Sequence, residues 1–328
     1  TLTPVKVADE EWTLMLSDPL SNIDAQVNTL FKRAVAWAGC VAVAIAAILI
    51  STAVQMIRVQ SRVERVRHQV LTRELTQARR IQEQWLPDAA SAPRQLDIAA
   101  INQPASHISG DFYNWFDLPD GRYVVVIGDV TGHGMAAAFL MATTQLLVRN
   151  TMARTPEPGP ALSEVNRQLT SQMFHGQFVT MLVLTLDFEK GILEIASAGH
   201  PAPLIAVNGK VSKLDVEGEL VLGVEKNVVY PTRRVPLPDA ASLLLYTDGV
   251  PDSRGPTGER YGVVRLMQAL TGHAQSAEQM IGAVAASVGQ FRGEQELDDD
   301  LTLVAIHLRS LAPAAGARSP SLTAPASH

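Results

Sequence analysis

Residues 34–57, AVAWAGCVAVAIAAILISTAVQMI, contain no charged side chain. At about 1.5 Å rise per residue, such a run crosses a hydrocarbon layer of roughly 30 Å as a single helix. A signal peptide has a shorter apolar core and a small-residue cleavage site after it, so a transmembrane helix over 34–57 is the expectation. Downstream the pattern changes. No glycine or proline occurs from Arg58 to Trp85. Val59, Val63, Val66 and Val70 recur at four, three and four residues, which is coiled-coil spacing. Leu71, Leu75 and Ala78 continue it one residue out of phase, a shift that distorts supercoiling locally. Two readings stand for 58–87: a dimeric signalling helix that changes its packing, or an amphipathic linker helix resting on its own domain.

From Gln95 to Arg309 the apolar runs shorten and become globular in pattern. Strands are predicted over 96–101, 123–127, 180–188, 192–196, 204–207, 243–246 and 301–308, and helices over 135–149, 161–173, 263–270 and 277–288. The segment Asp187 to Gly191 predicts a hairpin turn. Clustered strands with hairpin links give an α+β expectation of mainly antiparallel sheets covered by helices. The expected divisions are 1–33, a transmembrane helix at 34–57, a linker helix at 58–87, a globular domain at 88–310, and a disordered tail at 311–328 rich in Pro, Ala and Ser.

Charge orients the span. Arg58, Arg62, Arg65, Arg67, Arg73, Arg79 and Arg80 follow it, against Lys32 and Arg33 just before it. The positive-inside bias puts the C-terminal part in the cytoplasm and 1–33 outside it. The first residue is Thr, and the expectation is that 1–33 is the tail of something larger. The stretch with Trp12, Pro19 and Leu20 resembles the last strand and exit helix of an extracytoplasmic Cache-type sensor domain. A net charge of −6 without a clustered basic face gives no support to nucleic-acid binding. The single cysteine, Cys40, lies in the apolar run, so neither an internal disulfide nor a reactive thiolate is expected.

Four acidic spots share one local grammar. They are Ser109-Gly110-Asp111-Phe112-Tyr113, Gly128-Asp129-Val130-Thr131-Gly132-His133-Gly134, Tyr246-Thr247-Asp248-Gly249 and Asp298-Asp299-Asp300-Leu301-Thr302. Asp129 and Asp248 are expected directly after strands and Asp299 directly before one, each at the rigid end of a sheet. Converging carboxylates repel, and a hard divalent cation relieves that repulsion. Two such ions about 3.5–4 Å apart can share a carboxylate. With no paired Cys/His set of zinc spacing, Mg2+ or Mn2+ is favoured.

These motifs, together with Ala198-Gly199-His200-Pro201, Asp299-Asp300-Leu301-Thr302, and a leading helix reading Leu75-Thr76-Gln77-Ala78-Arg79-Arg80-Ile81-Gln82 then Leu86-Pro87, resemble the SpoIIE-type branch of the PPM metal-dependent protein phosphatases. The resemblance covers roughly Glu74 to Leu308. It implies an αββα sandwich with two Mn2+ or Mg2+ ions at one edge. It implies hydrolysis of phosphoserine or phosphothreonine on a protein by activated water, without a phosphoenzyme. The implied partner is a phosphorylated anti-anti-sigma protein of the STAS fold. The implied setting is the bacterial inner membrane, as a homodimer through the linker helix.

Residue by residue, the resemblance makes Asp129 the bridge between both ions, with Asp111 as its catalytic companion. Asp248 and Asp299 complete one shell, Asp300 being the register alternative to Asp299. The Val130 carbonyl and Asp111 serve the other ion. The sequence departs from the pattern at Asn114, where many relatives have Asp, and at Thr131, where other branches have His. His133 does not align with that His, and His133 and His200 are expected to hold loops. No arginine matches a phosphate-gripping position. The rival reading is a membrane receptor or inactive pseudophosphatase that only binds its partner. The presence of all four ligand aspartates counts against it.

Overall fold

Strand β5 (Tyr123–Val130) shows why the domain has four layers: almost every residue in it is buried, on both faces. Tyr123, Val125 and Ile127 point into one apolar cluster, and Val124, Val126 and Val130 into another. A strand that is apolar all round needs cover above and below. The computed structural model describes residues 2–7, 10–15, 20–132, 134–171, 176–216, 218–238 and 240–309. His133, the end of the predicted 161–173 helix and the tail at 311–328 lie outside the described residues.

The chain divides into two units, Thr1–Thr72 and Arg73–His328. The first begins with an antiparallel hairpin, β1 (Leu2–Val7) and β2 (Glu10–Met15). Helix α1 (Leu20–Glu83) follows and runs through the division into the second unit. One helix therefore covers what the sequence divides into a span and a linker. The shift at Val70–Leu71 does not interrupt it, because an α-helix tolerates any phase of apolar positions when nothing packs on them. Val59, Val63, Val66 and Val70 are all exposed, and the expected coiled-coil pairing is not seen among the described residues. By length and composition the helix holds an 18-residue stretch, of mean hydropathy 2.4, apolar enough to cross a membrane.

In the second unit one sheet is built on β4 (Phe112–Asp117), β5, β6 (Val179–Asp187) and β7 (Ile192–Ala198), all antiparallel. Two short strands, β10 (Gly218–Glu219) and β11 (Arg233–Pro236), extend it beside β7. The other sheet runs in the order β3 (Leu96–Gln103), β13 (Leu301–Leu308), β12 (Ser242–Tyr246), β8 (Leu204–Val207) and β9 (Lys210–Lys213). Leu182, Leu184 and Leu186 of β6 meet Leu243, Leu245, Val304 and Ile306 between the sheets. Helices α2 (Met135–Met152) and α3 (Pro158–Thr170) cover the first sheet through Met141, Val148, Leu162 and Val165. A short α4 (Gly249–Asp252) follows β12. Helices α5 (Gly262–Leu270) and α6 (Ala277–Arg292) cover the second sheet through Leu266, Leu270, Met280 and Val284. The architecture is α+β, two antiparallel sheets flanked by helices.

Strands β4, β9, β10 and β11 are absent from the sequence expectation. β4 reads FYNWFD, and its central Asn114 disguises a strand whose aromatic residues are buried on both sides. β5 extends to Val130, so Asp129 lies inside the strand rather than after it.

Candidate metal centre

Antiparallel pairing gathers the acidic spots. Phe112, at the start of β4, faces Gly128, near the end of β5. Tyr246, the end of β12, faces Leu303, near the start of β13. The segments carrying Asp111, Asp129, Asp248 and Asp299 therefore emerge at one end of both sheets.

Asp111 is buried, and its Oδ2 accepts a hydrogen bond from Thr247 Oγ1 at 2.7 Å. Burial and the charge of Asp129 hold its carboxyl well above the usual carboxylate range. Asp129 pairs across the sheet with Thr180. Burial, with Asp248 and Asp299 adding repulsion, pushes its carboxyl up to about 7. Burial and then Asp299 raise Asp248, while burial is the main cause of the rise at Asp299. Val130 is buried at the strand end. Its carbonyl oxygen lies 2.7 Å from where a Cβ on Gly110 would stand, and Asp129 Oδ1 lies 3.6 Å from the same point. Gly110 is thus the residue that lets the Asp111 segment close on Val130.

Asp300 has a different occupation. Its Oδ2 accepts from the Gly110 N–H at 2.6 Å and the Ser109 hydroxyl at 2.9 Å, and its Oδ1 from the Ala105 N–H at 2.8 Å. It pins the loop before β4. Gly249 lets this loop pack: a Cβ there would sit 2.0 Å from the Asp300 carbonyl oxygen.

Among the described residues no three acidic, histidine or cysteine side chains converge at ion-ligating distance. The aspartates act on one another electrostatically, and Asp111 also shares a side-chain hydrogen bond with Asp129. The donor set nonetheless suits a hard divalent cation. It is all oxygen, it runs from the buried Asp111 to the exposed Asp248 and Asp299, and each of its four carboxyls is driven toward the neutral form that a bound cation would reverse.

The sequence model for the family described as Stage II sporulation protein E (SpoIIE) matches residues 119–309, more than half of the chain. The chain belongs to the SpoIIE branch of the PPM (PP2C) phosphatase family. This SpoIIE-family chain is 28% identical over 263 residues to Protein IcfG of Synechocystis sp., a match covering 71% of the chain but only 41% of IcfG. It is 28% identical over 246 residues to phosphoserine phosphatase RsbU of Bacillus subtilis, covering 73% of the chain and 71% of RsbU. The SiaA-PP2C domain of Pseudomonas aeruginosa shares the fold at TM-score 0.66 and 22% identity, over 73% of this chain and 98% of that one.

The contacts of this SpoIIE-family site give roles to Thr247, Thr131 and Asn114 that the sequence reading leaves unassigned, and show what His200 holds. Thr247 Oγ1, besides donating to Asp111, accepts from the Thr302 N–H at 3.1 Å and so joins β12 to β13. Its place between a strand and an aspartate is the only signal the sequence offers. Thr131 is a loop lock: its hydroxyl donates to the Phe178 carbonyl at 3.0 Å and accepts from the Phe178 N–H at 2.9 Å. Asn114 sits mid-strand in β4, where its Oδ1 accepts from the Trp115 N–H at 2.8 Å. His200 is buried, with Nδ1 2.8 Å from Thr180 Oγ1, and so braces the residue opposite Asp129. Its Nε2 has no partner at hydrogen-bonding geometry, although the Tyr246 carbonyl is near enough to favour a proton there.

Proposed function

We propose that this chain is a membrane-anchored, metal-dependent protein phosphatase that removes phosphate from serine or threonine of a regulatory partner. The observation that supports the proposal is that strand pairing brings the segments of Asp111, Asp129, Asp248 and Asp299 to one end of the sheets, where their charges act on one another and the Asp129 carboxyl is pushed up to about 7. Family membership and the phosphoserine phosphatase RsbU among its relatives support the same chemistry.

In this reading Asp129 would serve both ions. Asp248 and Asp299 would hold one of them, and Asp111 and the Val130 carbonyl would hold the other. Asp300, its carboxylate occupied by three donors, holds the loop and leaves Asp299 for the ion. Bound Mn2+ or Mg2+ supplies charge neutralisation for the phosphoryl oxygens and a lowered water pKa. The protein's own contribution is to hold Asp111 by Thr247 and to fix the spacing of the carboxylates by two rigid sheets. The resemblance to SpoIIE-type enzymes makes a phosphorylated anti-anti-sigma protein of the STAS fold the expected partner. Helix α1 supplies the membrane anchor, and its valine seam supplies the homodimer contact.

The test is manganese-dependent hydrolysis of p-nitrophenyl phosphate and of a phosphoserine protein by the full chain in detergent. Asp129→Asn is expected to lower turnover by at least about 100-fold. Equal turnover by that variant, or none by the parent with manganese, would sink the reading.

A further inference from the structure

The chain crosses from the first sheet to the second through residues 199–203, between β7 and β8. His200 lies in that link and is buried. Its backbone is tied on both sides to one hydroxyl: the His200 N–H donates to Ser197 Oγ at 3.2 Å, and Ser197 Oγ donates to the His200 carbonyl at 3.1 Å. The backbone thus fixes the ring, and its two nitrogens face different sheets. Nδ1 lies 2.8 Å from Thr180 Oγ1. Thr180 pairs directly with Asp129 across β5 and β6, so the two side chains stand on one face of the first sheet. Nε2 has no hydrogen-bond partner among the described residues. The group near it is the Tyr246 carbonyl, at the end of β12 and two positions before Asp248.

The acidic residues are divided between the same two sheets. Asp111, Asp129 and Val130 lie on or beside β4 and β5 of the first, and Asp248 and Asp299 beside β12 and β13 of the second. On the metal-centre reading above, one ion would take its protein ligands from the first sheet alone. The other would take Asp129 from the first sheet and Asp248 and Asp299 from the second, so its site depends on how the sheets stand relative to each other. We propose that His200 is a positioning residue for that shared site: by bracing Thr180 against the end of β12, it sets the separation of Asp129 and Asp248. The inference rests on the metal-centre reading. His200 itself touches neither ion nor substrate. A histidine that only filled space between the sheets would set stability and leave the two sites alike. A positioning histidine sets the affinity of one site and spares the other. Losing such an outer support lowers metal affinity by about 10- to 100-fold.

The experiment uses the full chain in detergent. Bound Mn2+ is counted by electron paramagnetic resonance, in which the signal of free Mn2+ falls as ions bind, and unfolding temperature is read on the same samples. The parent is expected to bind two Mn2+. Thr180→Val keeps the side-chain shape and removes the hydroxyl that meets Nδ1. One of its two sites is expected to weaken about tenfold or more, with the other within about threefold of the parent. His200→Gln gives up the Nδ1 contact and keeps an amide near the place of Nε2, and is expected to show the same split. Thr180→Val decides the matter if His200→Gln does not fold. Thr180→Ser restores the hydroxyl and is expected to bind both ions as the parent does. Leu184→Ala, between the sheets on the strand that carries Thr180, is expected to lower the unfolding temperature and change neither affinity. Two sites weakened alike in the Thr180→Val and His200→Gln variants, or parental affinity at both with only the unfolding temperature lowered, overturns the positioning role and leaves the metal centre standing. A parent chain that binds no Mn2+, or a single ion, overturns both.

Discussion

Two glycines show how closely the site is built. Gly110→Ala puts a methyl 2.7 Å from the Val130 carbonyl oxygen, at the proposed ligand itself. The expected result is a requirement for Mn2+ raised about tenfold or more, read from activity against metal concentration. Gly249→Ala instead drives a methyl to within 2.0 Å of the Asp300 carbonyl. The Asp299–Asp300 backbone before β13 must then move, at a cost of about 1–3 kcal/mol. That corresponds to a melting temperature lower by roughly 2–12 °C for a domain of this size. His200 gives a pH signature. Burial pushes its pKa down to about 3 from the ordinary 6.5, so the folded chain keeps the ring neutral. Its contribution to stability is whole above about pH 6.5 and is lost as pH falls toward 3, by up to about 1.4 kcal/mol per pH unit. Urea titrations of the parent and His200→Asn at pH 7 and pH 5 should show the stability gap between them narrowing at the lower pH. A constant gap would mean that the ring is not held neutral.

At the scale of elements, the sandwich depends on strands that are apolar on both faces, and these are where truncation should hurt. Leu184→Ala, between the sheets, is expected to cost about 2–5 kcal/mol, and Val264→Ala on the exposed side of α5 no more than about 0.5 kcal/mol, by chemical denaturation. The same property explains what could be read from the sequence. Runs such as 123–127 and 301–308 stand out because they are mostly aliphatic, with no charged residue inside them, and the pairing of their ends then places the aspartates. β4 was hidden because Asn114 breaks the run. β10 and β11 are too short and too polar to show a period, being held by β7 rather than by their own composition. The motif aspartates were legible because Gly-Asp and Asp-Gly pairs flank strand ends. The occupation of Asp300 was not, because its partners Ala105, Ser109 and Gly110 lie about 190 positions away in the chain. The role of Thr247 was hidden for the same reason: a hydrogen bond across the fold leaves no periodicity behind.

For the whole molecule, the proposed span makes a claim about sidedness that the chain is well suited to test. Arginines crowd the stretch after residue 57, while Lys32 and Arg33 stand before the apolar run, so the phosphatase domain is expected on the cytoplasmic face. Cys40 is the chain's one cysteine, and Cys40→Ser leaves a background free of thiols. In that background a membrane-impermeant maleimide added to intact cells should label Asn28→Cys, and should reach Gln69→Cys only after permeabilisation. Both positions are exposed on α1, so a difference in labelling reports the membrane rather than burial in the protein. Placing Ala44→Arg and Ile48→Arg together in the run adds about 5–7 kcal/mol to insertion, at about 2.5–3.5 kcal/mol for each arginine. The variant should leave the membrane fraction while its Mn2+-dependent hydrolysis of p-nitrophenyl phosphate persists, because every residue of the proposed metal centre lies in the unit that begins at Arg73. Equal labelling at the two cysteines, or a double-arginine variant that stays in the membrane fraction, would show that α1 does not span the bilayer in the orientation its charges predict.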